Sequence, residues 1–116
     1  MCVADAHKKL HTFLYTIIDR ALLKASAIRE FELVQVVNIE NGSRLETYTI
    51  SGEEGSGIIH LNGAAARLAA VGDHIIIMTY ALVPEPLPHD WLPTIVYVDE
   101  QNRILEVTNN GGEPCC

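Results

Sequence analysis

Apolar residues follow two patterns along this chain. Over residues 33–39, 44–50, 75–80, 94–100 and 104–107, β-branched and aromatic side chains are dense, which is the composition of strands. Over residues 20–27 and 64–70, Ala and Leu replace them, with Asp19 and Asn62 just ahead. That pattern predicts two short helices, each with its own N-cap. The pieces repeat in one order. Ile18-Asp19 leads into a helix, a turn at Arg29-Glu30 and a strand; Leu61-Asn62 leads into a helix, a turn at Gly72-Asp73 and a strand. An internal repeat of this size predicts a pseudo-symmetric domain. Strand–helix–strand units in so short a chain fit a mainly β fold, a small closed β-barrel with short helices, better than an open doubly wound sheet.

Turn signals divide the strands. Asn41-Gly42 predicts a tight hairpin between a strand ending near Glu40 and one starting at Arg44, because both turn residues accept positive φ. The same residues, with Ser43, match a glycosylation sequon, and the turn is the reading preferred here. Residues 51–57 form a Gly/Glu/Ser loop. Residues 84–93, with four prolines and Trp91, form another. A last hairpin is expected around Gln101-Asn102. The domain reading is therefore an N-terminal segment over 1–17, one barrel domain over 18–107 and a flexible tail over 108–116.

Composition narrows the partners. A chain of 116 residues that is 48% hydrophobic supports one packed core, as single domains commonly do at about 100–150 residues. A net charge of -7 argues against nucleic acid and anionic membrane, which reward clustered Lys and Arg. No apolar run approaches the ~20 residues of a membrane helix. The first residues lack the apolar stretch of a secretory signal, so a cytoplasmic protein is expected. Cys2, Cys115 and Cys116 lie at the chain ends and imply no disulfide framework. His7 and His11 could share a helix face, but no third ligand is near in sequence, so no metal site is expected.

Two segments can carry chemistry. Arg44 and Tyr48 are four apart on an expected strand and so point to one face, with Glu46 between them. Arg grips carboxylates through paired hydrogen bonds, and Tyr can transfer a proton. A surface ion pair of Arg44 with Glu46 or a neighbouring strand, beside a half-buried Tyr48, is the structural alternative. In Asn62-Gly63-Ala64-Ala65-Ala66 a capping residue precedes small ones, so a ligand could approach the backbone N–H groups of a helix start. An ordinary Asn-capped helix packed on the barrel is the alternative there.

The order of motifs adds to this. Ile18-Asp19-Arg20-Ala21-Leu22-Leu23, Val34-Gln35-Val36-Val37-Asn38, Arg44-Leu45-Glu46-Thr47-Tyr48, Gly55-Ser56, Asn62-Gly63-Ala64-Ala65-Ala66, Val71-Gly72-Asp73 and Ile95-Val96-Tyr97-Val98-Asp99-Glu100 follow one another as they do in aspartate 1-decarboxylases. Each motif is weak alone, and the ordered set, spanning about residues 18–107, is specific. The resemblance implies a double-psi β-barrel and a homotetramer with active sites between subunits. It implies a lyase that turns L-aspartate into β-alanine and CO₂ for pantothenate synthesis. The cofactor implied is a pyruvoyl group made by self-cleavage of a Gly-Ser bond, which forms a Schiff base with the substrate. On the same resemblance Arg44 holds the retained carboxylate and Tyr48 protonates the carbanion. Thr47, Asn62, Gly63, Ala64 and Ala65 position the substrate or assist processing. Lys9, in Lys9-Leu10-His11, matches a lysine near the active site.

One part of the pattern is missing. The Gly-Ser pair of the family falls just before Ile18-Asp19, where this chain has Leu14-Tyr15. Cleavage needs a Ser hydroxyl to attack the preceding carbonyl. Thr16 has a hydroxyl but would give a homologous ketoacyl group. The stretch from His11 to Asp19 is also shorter than the family's by about a hairpin. Gly42-Ser43 and Gly55-Ser56 are the remaining Gly-Ser pairs. Two functions thus stand open: a pyruvoyl-dependent decarboxylase, or an unprocessed barrel that binds a small carboxylate or serves as a structural subunit.

Overall fold

A computed structural model of the chain describes residues 15–108. Lys9, Leu14, the rest of the N-terminal segment before Tyr15, and the tail from residue 109 with Cys115 and Cys116 lie outside the described residues. The elements run β1 (Tyr15–Asp19), α1 (Arg20–Ser26), β2 (Leu33–Asn38), β3 (Arg44–Gly52), β4 (Ile59–Asn62), a 3₁₀ turn (Gly63–Arg67), β5 (Ile75–Met78), β6 (Ile95–Val98) and β7 (Ile104–Thr108). The first five strands form one sheet in the order β4-β1-β3-β2-β5, and β6 and β7 form a separate hairpin. The sheet curls into a half-barrel, and the fold is mainly β as expected.

The repeat has a structural counterpart. β1 pairs antiparallel with β4, and β2 pairs antiparallel with β5. Corresponding strands of the two repeats therefore pair with each other, and β3 lies between, parallel to β1 and antiparallel to β2. Alternation along each strand turns Thr16, Ile18, Val34, Val36, Thr47, Thr49, Ile59 and Leu61 inward, where they are buried with Leu22 and Leu23 of α1. Of the three buried threonines on β1 and β3, Thr16 and Thr49, which stand opposite each other, are satisfied across the fold. The Thr16 hydroxyl donates to the His60 carbonyl at 3.2 Å, and that of Thr49 to the Arg29 carbonyl at 2.8 Å.

Asp19 ends β1 and caps α1, accepting from the Ala21 N–H at 2.8 Å. The helix stops at Ala27, whose φ of 61° turns the chain left-handed while its N–H returns to Leu23 and Lys24. A hairpin forms around Asn41-Gly42, but it is looser than the dipeptide predicts: β2 ends at Asn38, residues 39–43 make the connection, and only Gly42 of the pair has positive φ, 73°. The second expected helix is shorter than its pattern. Only Gly63–Arg67 is helical, and the turn is 3₁₀. The Leu68 carbonyl accepts from the Asn38 and Asn41 side chains at 3.0 and 2.9 Å. The Ala70 N–H donates to the Asp73 carboxylate at 2.9 Å. With both groups held by side chains, continuing the helix would require breaking tertiary hydrogen bonds.

Candidate functional site

Strand register brings the site together. Tyr15 stands opposite Asn62 on β4 and opposite Tyr48 on β3, and Tyr48 stands opposite Leu33 on β2. Asn62, Tyr15, Tyr48 and Leu33 thus make one row across four strands, on the face away from the buried threonines. The Tyr15 and Tyr48 rings lie 6.2 Å apart between centroids and are inclined by 35°, within aromatic contact range. Arg44 projects from the same face of β3 as Tyr48, next to Val37 and, beyond it, Ile76.

Arg44 is exposed. Among the described residues no ion pair or hydrogen bond occupies its guanidinium, so the expected alternative, a pair with Glu46, does not form. Arg44 and Tyr48 are four residues apart on the strand, about 13 Å along the backbone. Both side chains are long enough to lean toward a small ligand bound between them, one gripping a carboxylate and the other offering a phenol proton.

Thr47 occupies the other side of β3. It is 4% exposed, and its hydroxyl has no hydrogen-bond partner among the described residues. An unpaired buried hydroxyl costs about 1–3 kcal/mol. Asn62 is half-buried at the end of β4, and Gly63, at φ 69°, swings the chain into the 3₁₀ turn that contains Ala64 and Ala65. So short a turn has little macrodipole, and its N–H groups would act individually on a ligand rather than through a helix field.

The other end of β1 is built around Asp19. Its buried carboxylate accepts from the N–H groups of Ala21, Gly55 and Gly57 at 2.8, 2.9 and 2.8 Å. Burial alone would raise its pKa. The hydrogen bonds from Gly57, Ala21 and Gly55, with the positive charge of Arg103, outweigh burial and hold it below the ordinary carboxylate value. The Gly57 carbonyl accepts from the Asn102 side chain at 2.8 Å, and the Gly55 carbonyl from the Arg103 guanidinium. Gly55-Ser56 is therefore fastened about 13 Å along β1 from Tyr15. Gly42-Ser43 lies in the β2–β3 turn, ahead of Arg44. Neither Gly-Ser pair enters the Asn62–Tyr15–Tyr48 row.

The register puts Arg44, Tyr48 and Asn62, which the sequence suggested as site residues, on one face of the sheet, and it adds the contact of Tyr15 with Tyr48. No local signal could have shown that contact, since the parallel β1–β3 pairing joins segments some thirty residues apart. The loop-holding role of Asp19 was also missed. Its signal was an acidic residue at a strand end together with the Gly55 and Gly57 pair, which can present free N–H groups.

Comparison with known proteins agrees with the ordered motifs. The sequence profile described as "Aspartate decarboxylase" matches residues 6–105. The aspartate 1-decarboxylase of Carboxydothermus hydrogenoformans is 59% identical over 90 residues, covering 78% of this chain and 71% of that protein. That of Ruminiclostridium cellulolyticum is 58% identical over 92 residues, covering 79% and 72%. An aspartate 1-decarboxylase of Campylobacter jejuni is 54% identical over 92 residues, with the same coverage.

Proposed function

The chain belongs to the aspartate decarboxylase family, and on that premise we propose that the face carrying Arg44, Tyr48 and Asn62 binds L-aspartate, in the β-alanine-forming step of pantothenate synthesis. Arg44 takes the carboxylate that the family's reaction retains. Tyr48 is the proton donor at the carbon that loses CO₂. Asn62 and the N–H groups of Gly63, Ala64 and Ala65 position the substrate, and Lys9 is the further catalytic candidate; Thr47, buried on the opposite face of β3, does not share this face. The observation that carries this reading is the shared face: Tyr48 and Asn62 in one row, with the Arg44 guanidinium, unpaired among the described residues, on the same side of β3. A cytoplasmic homotetramer with sites between subunits goes with the family reading. No helix among the described residues is long and apolar enough to cross a membrane.

A pyruvoyl group supplies the family's electron sink for decarboxylation. The residues here do not fit a group made from a serine at that position. Tyr15 stands there, and the neighbouring Thr16 hydroxyl is fully buried on the opposite face, donating to the His60 carbonyl. This observation favours the second reading, an unprocessed barrel that binds a small carboxylate or acts as a structural subunit.

Calorimetric titration tests the ligand. L-Aspartate should bind saturably to the wild-type chain, and Arg44→Ala should weaken it at least about tenfold, as loss of a charge-assisted carboxylate contact does. L-Alanine, which lacks the second carboxylate, should bind as weakly to wild type as aspartate does to the variant. Equal affinity of wild type and Arg44→Ala for aspartate would remove this assignment. β-Alanine measured in the same samples separates turnover from binding.

A further inference from the structure

We infer that this chain remains a single uncut polypeptide, and that Tyr15 forms an aromatic wall of its aspartate pocket where the family's chemistry requires an electrophile. The inference rests on the aspartate site proposed above and adds what that site is made of.

Self-cleavage to a carbonyl group starts when a side-chain oxygen two bonds from Cα closes a five-membered ring onto the preceding carbonyl. Tyr15 cannot close that ring, because its oxygen lies at the far end of a rigid phenyl group. Thr16 is turned away from the site, and its hydroxyl is committed to the His60 carbonyl. Of the two Gly-Ser pairs, one lies in the β2–β3 turn and the other is tied down by Asp19 and Arg103. In that second pair the Ser56 hydroxyl donates to the Glu53 carbonyl at 2.6 Å and accepts from the Ile58 N–H at 3.3 Å. A carbonyl made there would still be remote from Tyr48.

The ring of Tyr15 is placed for a different task. It is half-buried, packs toward Tyr48 at 6.2 Å, and lies between Tyr48 and Asn62 in the same row. An amphipathic side chain there offers an apolar face to the methylene of a bound amino acid and a phenol to its polar ends. The ligand is held without a covalent bond, by charge at Arg44 and by contact at Tyr15.

Two measurements on the purified full-length chain test this. Its intact mass should be one species at 12.8 kDa, unchanged by phenylhydrazine or by borohydride in the presence of L-aspartate. A pair of fragments, or an adduct from either reagent, overturns the inference and leaves the aspartate site standing. The second measurement follows ring-labelled tyrosines by NMR during an L-aspartate titration, with Tyr15, Tyr48, Tyr80 and Tyr97 assigned by Tyr→Phe variants. Tyr15 and Tyr48 should shift with one common midpoint while Tyr97, on the separate hairpin, stays still. Movement of Tyr48 without Tyr15 overturns the wall assignment alone. Absence of movement at both sinks the aspartate site and the wall with it.

Discussion

Asp19 is 2% exposed and accepts three backbone N–H groups, from α1 and from the loop after β3. Its pKa is lower in the folded chain than in the unfolded one. Such a group stabilises the fold above its unfolded pKa, near 4, and that contribution is lost as pH falls through the folded value. Stability should therefore drop below about pH 4. Asp19→Asn keeps one acceptor oxygen and removes the charge, so it should cost roughly 1–3 kcal/mol at neutral pH and flatten the acid limb. Urea denaturation of both proteins at pH 7 and pH 3.5 checks this. A variant that kept the wild-type acid limb would show that other carboxylates set it. The capping half of this role was legible in the sequence, because Asp directly before an Ala/Leu run is a local signal. The half that holds Gly55 and Gly57 was not, since it spans more than thirty residues and depends on how β1 and β4 pair.

At the scale of elements, the same division between local and distant signals recurs. The position of the β2–β3 hairpin was legible from Asn41-Gly42, while its length was not, because Asn38 and Asn41 use their side chains to hold the loop over residues 39–43. The second helix was over-read because the Ala-rich run carries helix propensity, whereas Asn38, Asn41 and Asp73 claim the backbone groups at its end. Motif order suggested Arg44, Tyr48 and Asn62, and the strand register puts them on one face. The meeting of Tyr15 with Tyr48 required the parallel β1–β3 register, which alternation alone leaves undetermined. The loop before β4 gives a test at this scale. Gly57 has φ 71°, and a Cβ there would lie 2.4 Å from the Gln101 carbonyl oxygen. Its N–H also donates to Asp19, and its carbonyl accepts from Asn102. Gly57→Ala meets left-handed strain and a backbone clash together, and should destabilise by at least about 2 kcal/mol. Gly55→Ala has the same sign of φ but open space around the added Cβ, so it should cost only about 1–2 kcal/mol. Thermal unfolding of the two variants should rank them in that order, and a reversal would mean that strain, rather than the β6–β7 turn pressing on Gly57, governs this loop.

Taken as a whole molecule, the half-barrel leaves apolar side chains uncovered on the face that carries the site. Leu33, in the Tyr48 row, is 64% exposed, and Ile76, in the Arg44 row, is 47% exposed. Exposed apolar residues beside a polar site suit the association surface that the homotetramer proposed above would need. A second copy of the chain is the occupant that the family reading supplies, with sites between subunits. The net charge of -7 opposes self-association at long range, so assembly has to come from apolar contact at this face and should strengthen as salt screens the repulsion. Leu33→Glu with Ile76→Glu places two carboxylates at the contact and should dissociate the assembly. Sedimentation velocity of wild type and variant over a concentration series makes the comparison. The wild-type chain is expected well above its 12.8 kDa protomer mass, and the variant close to it. Because Arg44 and Tyr48 share this face, the variant should also lose aspartate affinity while keeping a cooperative unfolding transition. A wild-type chain that sediments as a protomer at every concentration would mean that this apolar face is not the assembly surface, and that the aspartate site is complete within one chain.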